Sequence, residues 1–391
     1  MKKDYKIVVK ILPFAFVLLL VLPKINSYLK IIPEIGNTEN RKMAELPVFD
    51  LNLLDPFPQQ YDHYFEDHFS LRNQLLSINN LFNYFILEKS IAEHKVVLGL
   101  DGWLFRNNNA LPINANIDYT NVQKKNLQRE FEERTQYYKS LGIDYYAFII
   151  PNKATIYSEF VKERYSAPNG EAYETRIDRL MSFLSQHSNL ENVFYLKDYL
   201  REHKADHQLY YKKDHHWNYM GGLYATFFIN QILKEKYPAI DNTALPENYA
   251  IEIERKYNGN LAQVLGIRDI LKDDVVFLHP KEGIEKWKKG KKRDLKPTKD
   301  FAYPWAYQKS AVVVDTSLPK ALVIRDSFGN ALLPFLNNSF SDVLYIWDAW
   351  QYGWNKEIVA KEKPDIILNI MVEQHIYHMV TSSDLEYEDE K

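Results

Sequence analysis

The 391 residues are 46% hydrophobic and 26% charged, the balance of a folded globular chain rather than a disordered or fibrous one. Lys and Arg total 49 against 52 Asp and Glu, a net charge of −3, which argues against a general nucleic-acid binder with its basic excess. With no cysteine, disulfides, thiolate metal sites, iron–sulfur clusters and thiol nucleophiles are excluded, and no glycine-rich nucleotide-binding string occurs.

The N-terminus places Lys2, Lys3, Lys6 and Lys10 before Ile11–Leu22, twelve residues without a charge. That order predicts a short transmembrane signal anchor within residues 1–30, its tip in the cytoplasm and the remaining chain outside the cell membrane. A cleaved signal peptide is the alternative, but Leu22-Pro23-Lys24 offers no small-residue cleavage site. Residues 31–95 read as a linker punctuated by Pro33, Pro47, Pro56 and Pro58, then a helical arm over Gln59–Glu88. Asp101-Gly102 between two apolar runs predicts a hairpin.

From residue 96 to 383 helix and strand patterns alternate. Val122–Leu141, Glu171–His187 and Tyr219–Lys234 read as helices, the last with Asn218 as N-cap. Asp144–Ile150, Val193–Leu196, Ala311–Val314, Ala321–Ile324, Val343–Trp347 and Ile366–Ile370 read as strands. Short helical segments are expected near Asn330–Leu336 and Lys356–Lys361. The fold class is therefore α/β, a mostly parallel sheet flanked by helices. Lys281–Lys296 carries eight Lys or Arg around Trp287, either a solvated loop or a contact for anionic glycan or lipid. Residues 384–391 form an acidic tail.

Ligands in open α/β sheets gather beyond the carboxyl ends of strands, and three such ends carry capable residues. Ser327, following Ala321–Asp326, opens a helical segment, where a hydroxyl and a backbone N–H can serve acyl transfer. Asp326 or Ser327 could equally be a plain N-cap. In Asp214-His215-His216-Trp217 an extended chain would put residues 214 and 216 on one face and His215 on the other. Asp214 can then orient His216 as a base, or the two form an ordinary surface pair. Asn152 after Pro151 could donate to an oxyanion or simply make a turn, and Arg325 could line the same cleft or make an ion pair. His203, Asp206, His207, Asp214, His215 and His216 form a window able to ligate a metal, yet His203 and His207 lack the HExxH glutamate. No metal and no cofactor are expected.

These strings together resemble the DHHW proteins and the AlgX/AlgJ-type SGNH hydrolase-like domain of polysaccharide O-acetylation systems. The matching residues run in order: Glu39-Asn40-Arg41 with Leu46-Pro47, Phe65–Phe69 with Arg72, and Gly99–Phe105. Pro151-Asn152-Lys153, Asp214–Trp217 with Gly221, and Asp326-Ser327-Phe328 complete them. The resemblance implies an SGNH-like fold, Ser327 as nucleophile, His216 as general base and Asp214 as its orienter. It further implies a polysaccharide acceptor and a membrane-bound O-acyltransferase (MBOAT) partner that brings acetyl groups across the membrane. Arg325 stands where the usual GDS form has Gly. An acetyl-esterase with the same triad, and a glycan-binding scaffold without catalysis, are the competing readings.

Overall fold

A computed structural model describes residues 2–33, 42–51, 54–167, 173–240, 243–282, 307–312, 317–348 and 351–381. The chain divides into two units, residues 1–93 with 262–271, and residues 94–261 with 272–391.

In the first unit, α1 (Lys2–Leu29) is one helix of 28 residues containing Pro13 and Pro23. Among the described residues no helix is long and apolar enough to cross a membrane, and the spanning anchor of residues 1–30 stays an expectation of the sequence. The arm expected as one helix is two, α2 (Pro56–His68) and α3 (Arg72–Phe85). Phe69 is extended and Leu71 left-handed at φ 65°, a conformation costly for a side-chain-bearing residue. Between them, Ser70 Oγ accepts from Asn26 Nδ2 at 3.0 Å, tying the break to the end of α1. The motif Glu39-Asn40-Arg41 lies outside the described residues.

The second unit opens with the expected hairpin, β1 (Val96–Leu98) and β2 (Leu104–Arg106), paired antiparallel. The main elements then follow: α4 (Asn121–Ser140), β3 (Asp144–Ile150), α5 (Lys153–Ile156), α6 (Arg176–His187), β4 (Val193–Tyr195), α7 (Lys197–His203) and α8 (Tyr219–Lys234). A second hairpin, β5 (Tyr249–Tyr257) and β6 (Asp273–Pro280), brackets the short helix α9 (Asn260–Val264). The chain ends in β7 (Tyr307–Val312), β8 (Lys320–Arg325), α10 (Leu333–Leu336), β9 (Asp342–Trp347), α11 (Lys356–Glu362), β10 (Ile366–Val372) and α12 (His378–Thr381). Most of the basic run at Lys281–Lys296, and the acidic tail, lie outside the described residues.

Six strands form one sheet in the order β4-β3-β10-β8-β9-β7. Every pairing is parallel except β7 with β9, as the helix–strand alternation requires. Successive side chains in a strand point to opposite faces, and the central strands are apolar on both. Ala321, Val323, Leu368 and Ile370 pack on α8 through Leu223, Ala225 and Ile229. Leu322, Ile324, Ile367 and Met371 face α4, α6 and α11 through Phe131, Leu180 and Ile358.

Both long helices on that second face start with hydrogen-bonded caps. Thr120 and Thr175 each accept from the third helical N–H in a reciprocal capping box. Arg134 on α4 is fully buried with Glu130, donating to it and to Tyr352 O. Glu130→Ala would leave a buried guanidinium unpaired, a loss of about 3–5 kcal/mol, whereas Thr175→Ala loses a cap worth about 1 kcal/mol. Urea denaturation of the two variants should order them that way.

Candidate active site

The carboxyl ends of the parallel strands point one way, and the chemistry-bearing residues collect there. After β8 the chain turns sharply. Asp326 Oδ1 accepts the Phe328 N–H at 2.9 Å, so Asp326 caps the 3₁₀ turn Ser327–Ala331. Its other oxygen accepts from Val372 N at 2.8 Å and Tyr352 OH at 2.9 Å. Burial pushes this carboxyl up, but the hydrogen bond and charge of His375 and the two N–H groups outweigh it and hold it below the usual carboxylate range. Because Asp326 does the capping, the Ser327 hydroxyl is left for another partner.

That partner comes from residues 211–216. The stretch is closed by a bridge between Tyr210 and Trp217 at its two ends and is irregular, not the extended segment expected. It delivers His216 Nε2 to 2.7 Å from Ser327 Oγ and His216 Nδ1 to 2.7 Å from Asp214 Oδ1. Asp214 is buried and takes two more bonds at Oδ2, from Asn260 N at 2.9 Å and Tyr257 OH at 3.1 Å. Burial raises its pKa, but the His216 hydrogen bond and charge, with His215 behind them, prevail and depress it well below the ordinary value. Tyr257 escaped the sequence reading; the alternating Tyr249–Tyr257 run was the signal for its strand.

His215 differs from expectation. Because the backbone bends here, its ring lies against that of His216, centroids 3.8 Å apart, instead of on the opposite face. Burial and the His216 charge lower its pKa to about 3, which makes it a neutral packing partner and no base.

The two motifs are joined directly. Trp217 Nε1 donates to Phe328 O at 2.7 Å, with both side chains buried. Asn218 caps α8 as expected, accepting from Gly221 N at 3.0 Å. A Cβ on Gly222 would stand 2.4 Å from Ala331 O, so only glycine lets α8 approach the serine turn this closely. A cavity of about 390 Å³ opens over Ser327 and His216, walled by Tyr211, Trp217, Tyr219, Tyr257 and Asn330, within the range of small-ligand sites. A larger cleft of about 800 Å³ lies at the start of β3 around Tyr146, Asn192 and Lys236, remote from Ser327.

Two expected residues stand elsewhere. Asn152 is buried and donates its amide to Glu373 Oε1 at 2.8 Å, so it is committed to a carboxylate and not offered to an oxyanion. Arg325 is fully buried beneath the turn, over the Trp347 ring at 5.1 Å, donating to Asp326 O at 3.1 Å. Its stem fills the space a Cβ on Gly329 would need, which is how the chain accommodates Arg where the GDS form has Gly.

Among the described residues Asp214, His215 and His216 are the one trio close enough to share a metal. Both ring nitrogens of His216 are already engaged, by Asp214 and Ser327, so a metal there would have to dismantle the chain of bonds. His203 and His207 lie instead against Tyr224.

Gly222→Ala should push the Ser327 turn off α8 and lengthen the Ser327–His216 contact, an overpacking cost of about 1–3 kcal/mol that urea denaturation measures. Asp214, held below its unfolded value, contributes stability above about pH 4 that is lost as pH falls through the folded-state value. Asp214→Asn should therefore flatten the acid side of a urea-midpoint profile.

No curated protein matches the sequence. One solved structure shares the fold at a TM-score of 0.50, and others match less closely. PatB1 of Bacillus cereus superimposes at TM-score 0.50 with 16% identity, over 72% of this chain and 96% of that one. The O-acetyltransferase domain of Pseudomonas putida AlgJ gives 0.44 and 18%, over 72% and 92%. A DHHW family protein from Eubacterium siraeum gives 0.48 and 16%, over 75% and 99%. Residues 96–349 match the family described as the SGNH hydrolase-like domain of acetyltransferase AlgX, a stretch that holds Asp214, His216 and Ser327 with every strand of their sheet but β10, and the chain is a member of that family.

Proposed function

We propose that this protein is an O-acetyltransferase that modifies a cell-surface or secreted polysaccharide through an acetyl ester on Ser327. The observation that carries the reading is the unbroken chain Ser327 Oγ–His216 Nε2, His216 Nδ1–Asp214 Oδ1, each link 2.7 Å. A serine hydroxyl is a poor nucleophile until a base takes its proton as it attacks. His216 takes it at Nε2 while Asp214 fixes the Nδ1–H tautomer and stabilises the imidazolium. The leaving group departs with that proton, and the acetyl group stays on Ser327. A sugar hydroxyl then gives its proton to His216, attacks the ester and releases Ser327. The cavity beside Ser327, walled by Tyr211, Tyr219 and Tyr257, suits a saccharide, whose C–H faces pack on aromatic rings.

Membership of an acetyltransferase family supports transfer over hydrolysis. We further propose that the domain works outside the cytoplasmic membrane, receiving acetyl groups from an MBOAT-type partner. Lys2, Lys3, Lys6 and Lys10 before the apolar run, against Lys24 and Lys30 after it, favour that orientation. A reporter fused after Lys391 should be active only on the outer side.

Incubation with an activated acetyl ester should give a single acetyl adduct on the Ser327 peptide by mass spectrometry. Ser327→Ala should remove it, and Asp214→Asn should slow its formation by orders of magnitude, about 10⁴-fold in the best-studied triad. An adduct of equal yield in Ser327→Ala would overturn the assignment. His215→Ala, which removes a ring packed on His216 but no proton acceptor, should cost the rate far less than His216→Ala.

A further inference from the structure

A lysine lies beneath the segment that carries Asp214 and His216. Lys153 begins α5, at the carboxyl end of β3, and its side chain is 3% exposed. Its ammonium donates to three main-chain carbonyls, Tyr211 O at 3.0 Å, Lys212 O at 3.1 Å and Asp214 O at 2.6 Å. Three of four neighbouring carbonyls thus turn inward on one point, and an ammonium has three protons to give. The rings of Trp103 and Phe105 stand 5.6 and 5.3 Å from the nitrogen, within cation–π range. No carboxylate bonds to this nitrogen among the described residues, although Asp214 and Asp273 are near enough to favour its charge.

With the Asp214 carbonyl drawn toward Lys153, the Asp214 side chain is directed to the other side, onto His216 and Tyr257. We propose that Lys153 is the positioning residue of the triad, its ammonium acting as an internal cation around which residues 211–214 wrap so that Asp214 meets His216. The proposal rests on the acyl-enzyme reading above and adds to it a residue that touches neither substrate nor Ser327. Burial pushes the Lys153 pKa down to about 7, with Asp214 and Asp273 opposing the shift and Lys213 adding to it. The three carbonyls that receive its protons favour the charged form against that pressure. Removing the ammonium strands carbonyls in an apolar setting, a cost met by rearranging the loop.

The full chain, Lys153→Met and Lys153→Ala are compared by two readouts. In the parent, the proton between His216 Nδ1 and Asp214 should give a far-downfield proton resonance, and Lys153→Met should lose it. The acylation rate constant with an activated acetyl ester should fall roughly 100-fold in Lys153→Met, as expected for an orienting group displaced by about 1 Å, with KM little changed. Ammonium chloride, but not tetramethylammonium chloride at equal ionic strength, should raise the Lys153→Ala rate roughly tenfold by refilling the carbonyl socket. Should Lys153→Met not fold, Lys153→Gln, with two donors and no charge, carries the same comparison. A folded variant that keeps the resonance, acylates within about threefold of the parent, or ignores ammonium overturns the proposal. If the parent itself takes no acetyl group, the functional reading fails, while the resonance still decides whether Lys153 positions Asp214.

Discussion

The hydrogen bond from Trp217 Nε1 to Phe328 O is the constraint on which the site depends. His216 and Ser327 belong to segments 111 residues apart in the chain, one irregular, the other a five-residue 3₁₀ turn. Neither has enough local structure to place a side chain accurately. One indole, buried and bonded to the residue after the serine, registers the two segments against each other. Gly222, five residues after Trp217, allows α8 to close on the far end of the same turn, at Ala331. Replacing the indole by another large apolar side chain would keep the packing and lose the registry, because only the N–H carries direction.

Around that contact, buried carboxylates at the ends of the parallel strands each have a separate task. Asp326 joins the end of β8 to the end of β10 and caps the serine turn. Glu373 gathers Asn152, Thr155 and Tyr195 from the ends of β3 and β4 and the start of α5. Asp214 alone is bonded to an imidazole that continues to a hydroxyl. Buried carboxylates need several donors each to offset their desolvation, and the sheet end supplies N–H and O–H groups in sufficient number. These hydrogen bonds are formed without any ligand, the arrangement that electrostatic preorganisation requires.

Much of this was legible in the sequence. The parallel sheet followed from apolar runs alternating with helical periods, and Ser327, His216 and Asp214 from their places beyond predicted strand ends. What escaped has physical causes. The pairing of Asp214 with His216 was foreseen from an extended chain, but the segment bends around Lys153, and so His215 stacks on His216 instead of turning away. The single arm helix broke at Leu71, whose left-handed backbone no composition signals. Asn152 looked available as a donor because its acceptor, Glu373, lies 221 residues away. Burial, not residue type, made Arg325 part of the floor under the turn.

The strand order has a further consequence, for the order of folding. β10 lies between β3 and β8, its seven residues all buried, yet among the described residues it comes after every other strand of the sheet in chain order. Until Val372 has been made, β3 with β4 and β8 with β9 are two half-sheets, each exposing an apolar edge that only β10 can fill. Contacts between residues so distant in the chain form slowly, since loop closure must precede any gain. Nascent or truncated chains lacking this strand present open edges suited to wrong pairing. The central strand thus acts as a latch on the whole domain, and the site at its carboxyl end is assembled in the same closing step.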